Sequence, residues 1–128
     1  MDRRAAGRAG EDDAYDYIVK SGYRVLYRNF RYGRYGEIDI IAIKDGVVCF
    51  IEVKSRSGAS YGTPAEAVGY AKRKKILAVA NHFLRIGGFG GHKLRFDVVE
   101  VYYNKADRGA DGRKPVKINH IENAFGES

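Results

Sequence analysis

A chain of 128 residues, 45% apolar and 30% charged, is long enough for one soluble domain whose core needs no covalent staples. Its single cysteine, Cys49, excludes an intramolecular disulfide and fits a reducing cytoplasm, and no apolar run approaches the ~20 residues of a membrane span. The net charge of +7 directs attention to polyanionic partners, nucleic acid first.

The basic N-terminus, MDRRAAGRAG, lacks the apolar stretch of a secretory signal. Periodicity predicts a helix from Arg4 to Ser21, stopped by Gly22. Tyr23 to Arg31 reads as a strand rich in aromatic and β-branched residues, and RYGRYG, Arg31 to Gly36, as a glycine-punctuated loop. Glu37 to Lys44 and Val47 to Ser55 read as strands, joined by Asp45-Gly46, a strong two-residue hairpin signal. RSGASYG, Arg56 to Gly62, is a polar loop. Thr63-Pro64-Ala65-Glu66 has the form of a helix start, with Thr63 as N-cap and Pro64 at the first position. A helix from Tyr70 to Ile86 ends at Gly87-Gly88, and Lys93 to Tyr103 is a strand. A charged loop, Asn104 to Pro115, leads to a short last strand, Val116 to Ile121. The order α-β-β-β-α-β, with one further β, predicts a single α/β domain over residues 1–128: a mixed sheet with helices packed on it. The middle strands are apolar on both parities, as strands covered on both faces are.

A turn centred on Asp45-Gly46 sets Lys44 against Val47 and Ile43 against Val48. Followed outward, the ladder puts Asp39 opposite Glu52 and Glu37 opposite Lys54. Alternation then places these four with Ile41, Ile43, Val48 and Phe50 on one face, and Ile38, Ile40, Ala42, Cys49, Ile51 and Val53 on the other. Opposed carboxylates with Cβ atoms ~5 Å apart repel when partly buried, so one is protonated or a cation lies between them. A hard divalent cation such as Mg²⁺ takes such oxygen ligands. Lys54, on the same face, would set a positive charge beside a water or phosphate. The competing reading is a salt-bridged strand end built from Lys54, Glu37 and the carboxylates, with Lys54 as the counter-charge.

In the first helix Gly7, Glu11, Ala14 and Ile18 share a stripe, with Asp13, Asp16 and Lys20 opposite, so Glu11 faces the sheet as a third ligand or as a helix-margin carboxylate. The second helix has a core stripe of Ile76, Val79, Ala80, Phe83 and Leu84. Lys72 and Arg73 project near it, either toward a phosphate or past the core edge. Between Arg24 and Tyr35, Arg28, Arg31 and Arg34 interleave with Tyr27, Phe30, Tyr32 and Tyr35. Arginines contact phosphates and tyrosines stack on exposed bases, or the segment is a strand with a solvated basic face. Cys49 belongs to the core, and His82, His92 and His120 have no metal-ligand spacing and suit surface roles.

Glu11, then GEID with Asp39, then Glu52-Val53-Lys54 resembles the PD-(D/E)XK nuclease superfamily, whose core is α-β-β-β-α-β, the restriction-endonuclease-like fold. More closely, GRAGE, RNFRYGRYGEIDIIA, FIEVKSR and RFDVVEV resemble the YraN-like family of small bacterial proteins, and more distantly the archaeal Holliday junction resolvases. The resemblance spans Gly7 to Tyr103. It implies Asp39 and Glu52 as ligands of Mg²⁺ or Mn²⁺, Glu11 as the helix carboxylate, Lys54 as the catalytic lysine and Lys72 as a basic group near the site. The superfamily often has Gln in that helix, where this chain carries Arg73 beside Lys72. The implied activity is a metal-dependent endonuclease on DNA, including branched recombination or repair intermediates, for which a symmetric junction would suggest a homodimer. The alternative is a nucleic-acid-binding module that keeps the fold without turnover, and a third reading gives the basic face an acidic protein partner.

Overall fold

Asp45 and Gly46 both take positive φ, 52° and 77°, the backbone of the type I′ turn that Asp-Gly favours. The computed structural model describes residues 3–57, 69–103, 115 and 117–125. Helix α1 (Arg3–Lys20) leads into β1 (Arg24–Arg31), a short 3₁₀ turn (Gly33–Tyr35), β2 (Glu37–Lys44) and β3 (Val47–Ser57). Helix α2 (Tyr70–Gly87), β4 (Lys93–Tyr103) and β5 (Lys117–Ile121) follow. The expected helix start at Thr63, with most of the polar loop before it, falls in residues 58–68 and lies outside the described residues. So does the charged loop over residues 104–114.

The strands form one sheet in the order β1-β2-β3-β4-β5. Neighbours run antiparallel except β3 and β4, which are parallel. A parallel pair needs a crossover, and α2 lies in it. The expected mixed α/β sheet with flanking helices is therefore the fold. No helix among the described residues is long and apolar enough to cross a membrane.

The two helices cover opposite faces. Ala14 and Ile18 of α1 pack with Ile40, Ala42, Cys49, Ile51, Val99 and Val101. Ile76, Val79, Ala80, Phe83 and Leu84 of α2 pack with Ile41, Val48, Phe50, Phe96 and Val98. Each fully buried aliphatic side chain contributes about 1.5–3 kcal/mol, so β2 and β3, apolar on both sides, anchor both layers.

Ile38 departs from the expected face. It packs in the α2-side cluster with Phe30 and Ile41 rather than with Ile40. Asn29, between Arg28 and Phe30 and so across from the Asp39 region of β2, has φ 55°. A left-handed residue, which asparagine tolerates, breaks strict alternation, and side chains on the two sides of it face opposite ways.

His120 is not a surface residue. Its side chain is 7% exposed and its Nε2 lies 2.8 Å from Oδ2 of Asp97, which is fully buried. Asp97 also accepts from Arg95 Nε at 2.8 Å, Arg95 Nη2 at 2.9 Å and the Asn123 backbone N–H at 2.9 Å. Burial alone would raise the Asp97 carboxyl, but the His120, Arg95 and Asn123 bonds hold it below its ordinary value. Arg95 Nη2 donates onward to the Tyr23 hydroxyl at 2.7 Å, so the network ties β5 and the residues after it to β4 and to the start of β1.

Candidate functional site

The backbone ladder between β2 and β3 runs from Lys44↔Val47 to Ile40↔Ile51 and stops there. One step further the register would set Asp39 against Glu52. Beyond the ladder the Val53 N–H donates to Asp39 Oδ2 at 2.8 Å. A side chain thus replaces a backbone acceptor where the two strands part, and that bond fixes the Asp39 carboxylate. Meanwhile β3 stays paired with β4 as far as Ser57↔Tyr103.

Three elements converge at this opening. Glu11 of α1 and Glu37 and Asp39 of β2 each offer a carboxylate oxygen, all within 4.8 Å of one another. The approach of α1 is close: a Cβ at Gly10 would lie 1.9 Å from Ser55 Oγ. Burial first, then the charge and hydrogen bond of Asp39, push the Glu11 carboxyl up to about 7, with Glu37 adding to the effect and Arg28 opposing it.

Glu52 approaches from β3. Its side chain is 5% exposed, and Oε2 lies 3.3 Å from Lys72 Nζ in the first turn of α2. Its Oε1 is buried without a hydrogen-bond partner. Burial and then the Asp39 charge raise Glu52 to about 7, against Lys72 and Lys54. Lys54 is lowered by burial and by neighbouring Lys72. Lys72 is raised: burial works against its charge, but Glu52, Asp39 and Lys54 together outweigh burial. Beside Lys54 in the parallel register is Glu100, 2% exposed. It has Asn119 Nδ2 at 3.2 Å and Arg56 Nε at 3.6 Å.

Glu11, Asp39, Glu52, Lys54 and Lys72 therefore share one neighbourhood, with Glu11 and Asp39 in the tight carboxylate group and Glu52 turned to Lys72. Arg73 has its guanidinium 5.8 Å from the Phe125 ring centroid. Arg28 is engaged by Asp12 at 2.7 Å and lies 4.8 Å from the Tyr15 ring centroid. Arg31 and Arg34 are exposed at the end of β1 and in the 3₁₀ turn. Asp13, expected on the outer side of α1, accepts from the Tyr103 hydroxyl. Sequence reasoning did not assign Glu37 to the carboxylate group; its i, i+2 spacing from Asp39 in GEID is the signal that could have done so. Glu100 and Arg56 had no such signal, because their contact depends on the pairing of β3 with β4.

The donor set consists of oxygens alone, with no thiolate or imidazole, which suits Mg²⁺ or Mn²⁺. Two carboxyls, Glu11 and Glu52, held near 7 by burial and by the charge of Asp39 are groups that a divalent ion would keep ionised. The unpartnered Oε1 of Glu52 is a buried acceptor of the kind a cation satisfies.

Comparison with known proteins places the chain. The family model described as Uncharacterised protein family UPF0102 matches residues 10–101. A UPF0102 protein of Acetivibrio thermocellus is 43% identical over 123 residues, 96% of this chain and 92% of its own length. One of Symbiobacterium thermophilum is 45% identical over 122 residues, 95% and 97% of the two chains. One of Caldanaerobacter subterraneus is 37% identical over 125 residues, 98% of each. With the carboxylate-bearing strands inside the matched region and relatives aligned over nearly their full length, the chain belongs to the UPF0102 family.

Proposed function

We propose that this protein is a metal-dependent phosphodiester hydrolase acting on DNA, branched recombination or repair intermediates included, with a site of the PD-(D/E)XK nuclease type. The observation that carries the reading is the Glu11–Glu37–Asp39 carboxylate group beside the unpartnered Oε1 of buried Glu52. Mg²⁺ or Mn²⁺ held by Glu11, Asp39 and Glu52, with Glu37 at the rim, would supply positive charge against a phosphoryl oxygen and a more acidic water. The Val53 N–H orients Asp39, as a second-layer donor orients a ligand. Lys54 would orient the water or the transition-state oxygens. Lys72 neutralises Glu52 while no substrate is bound.

The test is a cleavage panel of duplex, single-stranded and branched DNA with Mg²⁺ or Mn²⁺, comparing wild type with Asp39→Ala and Lys54→Ala. Cleavage by wild type and its loss in both variants is expected. No cleavage of any substrate by the pure protein, or cleavage that survives Asp39→Ala, sinks the enzyme reading.

One observation favours a second reading. The Lys72 ammonium at 3.3 Å from Glu52 already supplies a counter-charge, as it would in a nucleic-acid-binding module without turnover. That reading expects salt-sensitive binding that Asp39→Asn leaves unchanged.

A further inference from the structure

Just ahead of the carboxylate group, three rings form a ladder that the acid chemistry does not use. Tyr32 stacks on His82 of α2 with centroids 3.7 Å apart and planes 5° apart. It also stacks on Tyr35 at 5.3 Å and 25°. The turn that carries the rings is pinned by its backbone: Tyr35 N–H donates to Tyr32 O and Tyr32 N–H to Gly36 O, each at 3.0 Å. His82 Nδ1 lies 3.2 Å from Arg85 Nη2. The ladder ends at Tyr35, which is 38% exposed. The Arg34 guanidinium is 5.8 Å from the Tyr35 ring centroid.

Tyr35, held at the end of a stack and partly in solvent, carries the Arg34 guanidinium over its ring, so the outermost layer joins a π-system to a cation. Those are the two groups that receive an unpaired base and its phosphate. A base inside a duplex has both faces stacked already and cannot use the platform. Tyr35 lies two residues before Glu37, and two residues of chain span at most ~7 Å. At ~3.4 Å per nucleotide along a stacked strand, with side-chain reach added, that is a few nucleotides from a phosphate at the carboxylates.

We infer that Tyr35 with Arg34 is a stacking platform for an unpaired base, so that the nucleic acid this protein engages carries a single-stranded segment beside the phosphate at the carboxylate group. The position of that phosphate rests on the nuclease reading; the stacking itself does not.

The chain contains no tryptophan, so Tyr35→Trp installs a single tryptophan, excited selectively beyond the tyrosine absorption, that keeps a stacking ring. In EDTA, where metal-dependent cleavage is off, its emission should be quenched by oligothymidine and unaffected by a blunt duplex. Tyr35→Leu should weaken single-strand binding about 5- to 150-fold, with Tyr35→Phe near wild type and duplex affinity unchanged. No quenching in Tyr35→Trp, or an equal loss of single-strand and duplex binding in Tyr35→Leu, overturns the platform. Should Tyr35→Leu not fold, the Tyr35→Trp quenching decides alone. Quenching without cleavage of any substrate defeats the nuclease reading and leaves the platform standing; cleavage without quenching does the reverse.

Discussion

Asp39 is the residue on which the site turns, because its carboxylate both accepts the Val53 N–H and repels its acidic neighbours. The two roles separate by substitution. Asp39→Asn keeps an acceptor for Val53 but removes the charge. It should weaken Mn²⁺ binding at least ~100-fold by titration calorimetry, with little change in Tm. Asp39→Ala should add a stability loss of about 1–3 kcal/mol, since the Val53 N–H is then unmatched. Equal Tm for the two variants would remove the structural role. Glu11 and Glu52 give a pH signature. Their folded values of about 7 lie above the ordinary 4.5, so the fold binds protons more tightly than the unfolded chain. The contribution of these two groups to metal-free stability is then fully present below about pH 4.5 and is lost as pH rises through about 7. Calorimetric Tm should fall across that window, Glu11→Gln should flatten the fall, and Mn²⁺ should raise Tm far more at about pH 8 than at about pH 5. A metal-free Tm that rises over the window contradicts the assignment. These carboxylates were legible in the sequence because each sits at a fixed count from a local turn or on a helix stripe. The choice of Lys72 as the partner of Glu52 was not, since it depends on where α2 begins in space.

At the scale of the element, the hairpin was the most legible part of the chain, and the reason is locality. Asp45-Gly46 dictates its own turn, and the turn dictates the pairing of Ile40 with Ile51 at the far end of the ladder. Gly46, at φ 77°, should resist substitution. Gly46→Val is expected to cost about 1–2 kcal/mol and lower Tm by several degrees, without changing Mn²⁺ affinity at the far end of the strands. A shift in affinity would mean that the turn controls the site through register. The same locality explains where the arithmetic failed. Alternation assumes extended backbone throughout, but Ile38 faces α2 together with its cross-strand partner Phe30, next to left-handed Asn29.

For the whole molecule, a net charge of +7 coexists with an acidic opening, so the proposed nuclease reading requires cations where a polyanion would make contact. Affinity for DNA should fall linearly in a plot of log K against log salt. Removing exposed Arg31 or Arg34 should reduce the slope by about 1 each, whereas Arg28→Ala should change it less, because Arg28 is engaged by Asp12. Equal effects at all three positions would mean that binding reads charge without geometry. The least legible feature at this scale was His120, whose partner Asp97 is 23 residues away; no spacing rule reaches across two strands and a loop. That pairing also bears on the order in which the chain is made. Asp97 is fully enclosed, yet two of its partners, His120 and the Asn123 N–H, emerge from the ribosome 23 and 26 residues after it. Until they arrive, of these partners a nascent chain offers that carboxylate only Arg95, so closure of the sheet around Asp97 is expected to wait for residues 117–123.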